Sequence, residues 1–166
     1  KQIKNSNEKF SLDEGSFFLK EDEILKYVSR AGLKLESAIE ELGLDIQQKS
    51  CLDLGASTGG FTDCLLQHGA LSVDCVDVGK GQLHLRLHGH EKIQNYESLN
   101  IKGLAEHPVL SKKKYDLVVM DLSFISLTKV LQHALQRMSV GSELVALIKP
   151  QFEVGSVNLD KKGIVK

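Results

Sequence analysis

Residues 51–60 read CLDLGASTGG, and this stretch decides the fold. Its first half is a short apolar run interrupted by one acid, Asp53, the pattern of a strand buried on both faces. Its second half is a glycine turn. Gly55 permits a backbone conformation or a close ligand approach that a side chain would block, and Gly59 and Gly60 let the following helix begin tightly. Residues 61–68 carry a helical pattern that Gly69 ends. Strand, glycine turn and helix together open a β-α-β unit.

Reading outward extends that unit into an alternating series. On the N-terminal side, Ser29 is expected to cap a helix reaching Leu42, with Leu35, Ala38, Ile39 and Leu42 at i, i+3, i+4 and i+7 and Gly43 as its terminator. On the C-terminal side, residues 71–78 read as a second strand, 82–87 as a helical segment and 93–96 as a short third strand. Residues 115–121, with LVVM at their centre, read as a buried strand, 128–138 as a helix, and 143–148 as another apolar strand after a turn at Gly141. Strands separated by helices of this length predict an α/β fold: a doubly wound, mostly parallel, Rossmann-like sheet. Such sheets usually carry further strands on the far side, and no such pattern follows residue 148, so the sheet is expected to be incomplete at its C-terminal end. The polar, irregular residues 1–23 read as a linker or arm and residues 24–166 as the catalytic domain. Phe10, Phe17 and Phe18 are read as packing residues of that arm, not as a stacking platform.

Composition bounds the function. The chain has 166 residues, of which 42% are hydrophobic, enough to build one core and to exclude disorder throughout. No apolar run approaches the roughly 18 residues of a membrane span, and no secretory or transit pattern opens the chain, so a cytoplasmic location is expected. Cys51, Cys64 and Cys75 show no CxxC spacing and sit among apolar residues, as small buried hydrophobes do. His84, His88 and His90 lack an HExxH pattern and a third convergent ligand, so no metal site is expected. The net charge of −1 conceals a split: residues 1–79 hold 8 basic against 14 acidic side chains, and residues 80–166 hold 13 against 8. That basic half is weak support for a nucleic-acid partner, and the run Lys112-Lys113-Lys114 reads as a solvated loop before a strand.

The chemistry begins at the glycine turn. There is no GxxxxGK[ST], and Gly55, Gly59 and Gly60 do not form GxGxxG, which disfavours a nucleoside triphosphatase and a dinucleotide enzyme. Asp77 ends the second strand, 22 residues after Gly55, where a carboxylate can accept both hydroxyls of a ribose. An acid within the glycine strand and another at the end of the next suit S-adenosylmethionine. Asp53 and the turn Gly55, Ala56, Ser57, Thr58, Gly59 and Gly60 are expected to face its amino-acid end, and Asp77 with Val78 its adenosine sugar. Asn100 is placed at the adenine edge, with a plain turn asparagine as the competing reading. Asp121 and Lys149 end neighbouring apolar strands, so they are expected side by side at the substrate edge of the sheet, with Asp121 also bordering the cofactor.

Five stretches, YVSRAGLKL (27–35), LDLGASTGGFTD (52–63), VDVGKGQL (76–83), DLSFISL (121–127) and LIKPQFE (147–153), together resemble the bacterial hemolysin-like ribosomal RNA methyltransferases. These are relatives of the heat-shock ribose 2′-O-methyltransferases, and the resemblance runs in order through residues 24–166. It implies an S-adenosylmethionine-dependent enzyme acting on the ribose 2′-hydroxyl of ribosomal RNA, at cytidine, with ribosomal RNA or a ribosomal subunit as partner and no DNA. Members of that family carry both hemolysin and methyltransferase names, and nothing in this chain resembles a pore. By the resemblance, Lys34, Asp121 and Lys149 match three of a Lys-Asp-Lys-Glu catalytic set. Glu153 stands too close to Lys149 to be the glutamate, so that position is left empty, and the family's small N-terminal RNA-binding domain has no counterpart here.

Transfer of a methyl group from a sulfonium is an in-line displacement, and a ribose hydroxyl attacks well only as its proton leaves. Lys149 is the expected base, Asp121 orients it and offsets charge, and Lys34 steadies a phosphate or the developing alkoxide, although either lysine could act as the base. Two alternatives stand beside this reading. A base amino methyltransferase would use Phe124 to stack a flipped base, yet DLSF lacks the rigid prolines of that class. A catalytically inactive RNA- or ribosome-binding module would keep the fold alone.

Overall fold

The computed structural model describes residues 26–154, 158–160 and 163–165. The arm expected over residues 1–23, with Phe10, Phe17 and Phe18, lies outside the described residues.

The strands are β1 (Ser50–Leu54), β2 (Ser72–Val76), β3 (Ile93–Tyr96), β4 (Tyr115–Met120) and β5 (Met138–Ala146). They form one sheet in the order β3-β2-β1-β4-β5, every neighbouring pair parallel. The expected doubly wound α/β sheet is therefore present. After β1 the chain fills one side of the sheet with β2 and β3, then returns to place β4 on the other side. The strand order reverses at β1 and β4, and ligands of open α/β sheets bind outside the carboxyl ends of strands at such a switch point.

Period-two alternation divides the core into two layers. Cys51, Val73, Cys75, Leu117 and Val119 pack against Leu35 and Ile39 of α1 (Ala31–Leu42) and Phe61, Cys64 and Leu65 of α2 (Gly60–Gln67). Leu52, Leu54, Val76, Val118 and Met120 face the opposite layer, which holds Leu104, Leu110, Val130 and Ala134. All three cysteines are free and buried, as expected, and burial pushes the Cys51 thiol up to about 12.

Four local expectations are corrected. Ser29 does not cap α1: Arg30 occupies that position without a side-chain bond, and the buried Ser29 Oγ has no partner. Leu42 ends the expected apolar stripe yet is 66% exposed. Residues 82–87 form only a 3-10 turn, Leu85–Leu87, because His84 and His88 on either side of it are extended, at ψ 142° and 135°, and the His84 ring accepts from the Arg86 N–H. Leu83 and Leu87 both reach Gly59, whose φ is 89° and where a Cβ would stand 2.7 and 2.4 Å from their methyl groups. The helix expected over 128–138 shrinks to α3 (Leu131–Leu135), since Val130, at φ −129°, interrupts it and Met138 is taken by β5, where it pairs with Tyr115.

Candidate active site

The glycine turn leaves β1 at Gly55, whose φ of 85° a side-chained residue rarely adopts. A Cβ there would lie 2.8 Å from a Leu122 methyl and 3.2 Å from the Asp121 carbonyl, so only glycine lets β1 and the loop after β4 close on each other. Asp77 fixes the far side of the turn. Its Oδ2 accepts from the Ser57 N–H at 2.8 Å and its Oδ1 from the Gly79 N–H at 2.7 Å, which ties the first loop to the second.

Two cavities open at this edge. One, of about 500 Å³, is bordered by Gly55, Ser57, Asp77, Val78, Asn100 and Asp121, a size suited to a small molecule. The other, of about 170 Å³, is bordered by Ala56, Thr58, Gly60 and Lys149. They share Gly55, Ser57, Asp121 and Ser123. Asp121, with a side chain 15% exposed, thus stands at their junction.

Three side chains from distant parts of the chain meet there. Lys149, just after β5, brings its Nζ to 2.6 Å from Asp121 Oδ1. That contact is ionic in character, because Asp121 Oδ1 receives no well-directed hydrogen bond, whereas the same ammonium donates to Ser123 Oγ at 2.8 Å. Lys34 of α1 approaches Asp121 Oδ2 at 3.7 Å and is more exposed. Its position is set remotely: the Val28 N–H donates to Asp63 Oδ2 of α2 at 2.8 Å, and Tyr27 is buried, so α1 sits fixed against α2.

The cavities do not gather every residue expected at the site. Asp53 borders neither; it points beneath the turn, accepting from the Thr62 hydroxyl at 2.7 Å, with its second oxygen buried and unpartnered. Burial pushes its carboxyl up to about 7, against the opposing Thr62 hydrogen bond and with a smaller push from the Asp121 and Asp77 charges. Gly59 also borders neither and serves as the seat of Leu83 and Leu87. Asn100 borders the larger cavity while its Oδ1 accepts from the Lys102 N–H at 3.0 Å, so both the site reading and the turn reading describe it. Ser123 and Asp63 are contributors that sequence reasoning missed. Ser123 sits inside the quoted DLSF motif and Asp63 at the end of LDLGASTGGFTD, but no local signal marks either as a holder of another side chain.

Among the described residues no group of three or more His, Cys, Asp and Glu side chains could hold a metal, and no helix is long and apolar enough to cross a membrane. The sequence profile of the FtsJ-like methyltransferases matches residues 27–166. The chain belongs to the FtsJ-like methyltransferase family.

Two curated proteins and one solved structure are similar to this chain over most of its length. The chain is 44% identical over 141 residues to the 23S rRNA (cytidine-2′-O)-methyltransferase TlyA of Campylobacter jejuni, covering 84% of this chain and 53% of that protein. It is 43% identical over 142 residues to Hemolysin A of Brachyspira hyodysenteriae, covering 86% of this chain and 59% of the relative. It therefore spans little more than half the length of these curated relatives. A crystal structure from Lactococcus lactis, of a protein named as a hemolysin, superposes with a TM-score of 0.78 at 42% identity, covering 86% of this chain and 67% of that one. The resemblance read from the five motifs is borne out at family level, as is the hemolysin naming.

Proposed function

We propose that this chain forms the catalytic part of an S-adenosylmethionine-dependent enzyme that methylates a cytidine 2′-hydroxyl in ribosomal RNA. The observation that carries the reading is the Lys34–Asp121–Lys149 cluster at the junction of the two cavities. Relatives named rRNA (cytidine-2′-O)-methyltransferases, including one of Mycobacterium tuberculosis at 43% identity, support the substrate class.

The larger cavity fits the cofactor. Gly55 keeps backbone, not side chain, at its wall, Asp77 has acceptor capacity left beyond its two amide bonds, and Val78 and Asn100 border the same space. Bound there, S-adenosylmethionine would supply an electrophilic methyl group. Asp121, between that cavity and the smaller one, stands where donor and acceptor would meet.

The chain's own residues handle the proton and the charge. Once its ammonium has given up a proton to solvent, the Lys149 amine takes the proton of the 2′-hydroxyl while Ser123 holds its nitrogen in place. Asp121 stabilises the resulting ammonium across 2.6 Å. Lys34, more exposed and farther from Asp121, steadies the nearby phosphate or the developing oxyanion. The base amino alternative keeps one supporting observation, the 91% exposed Phe124 ring at the border of the larger cavity.

The test is mass spectrometry of digested ribosomal RNA after incubation with labelled S-adenosylmethionine, repeated with a 2′-deoxy nucleotide at the target. The expected result is label on ribose that vanishes with the deoxy substitution. Label kept on the base would replace this reading with the base amino reading.

A further inference from the structure

The turn after β5 grips the loop of residues 121–127 at three points. Lys149, immediately before α4 (Pro150–Glu153), meets Asp121 and Ser123. The Phe152 ring lies 5.3 Å from that of Phe124, tilted by 47°. Glu153 takes the far end of the loop, its Oε2 accepting from Ser126 Oγ at 2.6 Å and its Oε1 from the Leu127 N–H at 2.9 Å. Only the first of these contacts belongs to the proposed chemistry.

Phe124 lies between the grips with a φ of 65°, in the left-handed region that a bulky residue occupies at a cost of roughly 1–3 kcal/mol. Its ring is 91% exposed, so burial of its own side chain does not maintain that backbone. The neighbouring grips do so, together with the packing of Leu122, Ile125 and Leu127 on the core. Of these, Glu153 alone bonds both a side chain and a main-chain donor of the loop, and the two bonds hold its carboxyl below the usual range. It is therefore ionised, and an acceptor at both oxygens, at neutral pH.

We infer that Glu153 is a positioning residue, which by holding Ser126 and Leu127 sets the pose of Phe124, whose exposed ring rims the larger cavity beside Asp121 and faces the solvent side from which RNA would arrive. It touches no reacting atom. Its consequence for RNA rests on the proposed function; its consequence for the loop does not. Loss of the grip lets the backbone at Phe124 relax, and the acceptor meets a less ordered surface while Lys149 and Asp121 keep their own contact. The cost falls on KM for RNA more than on kcat.

Two readouts test this separately. The chain contains no tryptophan, so Phe124→Trp makes a sole indole reporter at the loop. In that background Glu153→Ala should lower the indole anisotropy and raise its quenching by acrylamide at least about twofold with the fold retained by circular dichroism. Glu153→Gln, which still accepts from Leu127 and can donate to Ser126, should restore most of the signal. In the protein with Phe124 intact, Glu153→Ala should raise KM for ribosomal RNA about tenfold and keep kcat within about twofold. If Glu153→Ala does not fold, Ser126→Ala takes its place, with a smaller change expected in the same direction. An unchanged indole signal in the folded variant, or an unchanged KM beside a reduced kcat, overturns the inference. A shifted indole signal in a full-length native protein that methylates no ribosomal RNA upholds the loop assignment and overturns the functional reading alone.

Discussion

Lys149 Nζ stands 2.6 Å from Asp121 Oδ1, and the two residues close neighbouring strands, β5 and β4, at the same edge of the sheet. Parallel pairing makes this contact possible: Met120 is in register with Ala146, so both chains leave the sheet side by side. The pair then marks where the chemistry belongs, between a cavity large enough for a cofactor and a smaller one beside it.

Because Lys149 is placed to take the proton and Lys34 only to assist, their removal should have unequal effects. Lys149→Ala should reduce turnover at least about 100-fold and Lys34→Ala about tenfold, in line with losses of general-base and of auxiliary electrostatic groups. Cofactor binding, followed by calorimetry, should stay within about threefold in both. Parental turnover from Lys149→Ala would remove that lysine from the proposed role.

Asp77 carries two duties, bonding the Ser57 and Gly79 amides and bordering the cofactor cavity. Asp77→Ala should therefore weaken S-adenosylmethionine binding by about 10- to 100-fold, the scale of one or two charge-assisted hydrogen bonds. Asp77→Asn keeps shape and one acceptor, and should fall between variant and parent in the same titration.

Asp53 should give the protein a pH-dependent stability of unusual sign for an acid. Its folded carboxyl titrates at about 7, above the unfolded value of about 4, so the fold favours the protonated form. The corresponding stability is fully present below about pH 4 and is lost as pH rises through about 7. Asp53→Asn, neutral at every pH, should flatten this profile and be more stable than the parent at pH 8, by on the order of 1 kcal/mol. Denaturant unfolding at pH 5 and pH 8 measures the difference; parallel profiles would show that Asp53 is ionised in the fold at both.

Gly60 seats the segment before α1 on α2. A Cβ there would meet Ser29 Oγ at 2.2 Å, the Ala31 Cβ at 2.9 Å and the Gly32 backbone nitrogen at 3.1 Å. Gly60→Ala should destabilise the fold by about 1–3 kcal/mol, an overpacking cost. The melting temperature should fall by roughly 2–12 °C for a chain of this size. Since α1 carries Lys34, turnover should drop as well at temperatures where the variant is folded; an unaffected rate would show that Lys34 tolerates the shift.

What the sequence alone determined was the layout. CLDL and LVVM read as strands because a parallel sheet buries both faces and leaves continuous apolar runs, and β1 and β3 fall where the pattern puts them. Asp121 and Lys149 could be placed at one edge by counting strands, since neighbouring parallel strands end together. Lys34 had no local mark and entered by resemblance alone; only the packing of α1 on α2, through Val28 and Asp63, brings it to Asp121. Tertiary structure also decided which way Asp53 turned. A strand's alternation assigns a residue to one face, and only the presence of Thr62 on that face made it a buried anchor instead of a cavity wall. The same holds for residues 82–87, where His84 is held extended with its N–H on the Thr58 carbonyl, a partner distant in sequence, and the helical pattern is cut to one 3-10 turn. Local sequence sets backbone preference through sterics and hydrogen bonding, whereas the direction and partner of a side chain depend on groups far away in the chain, which meet only after the sheet has closed.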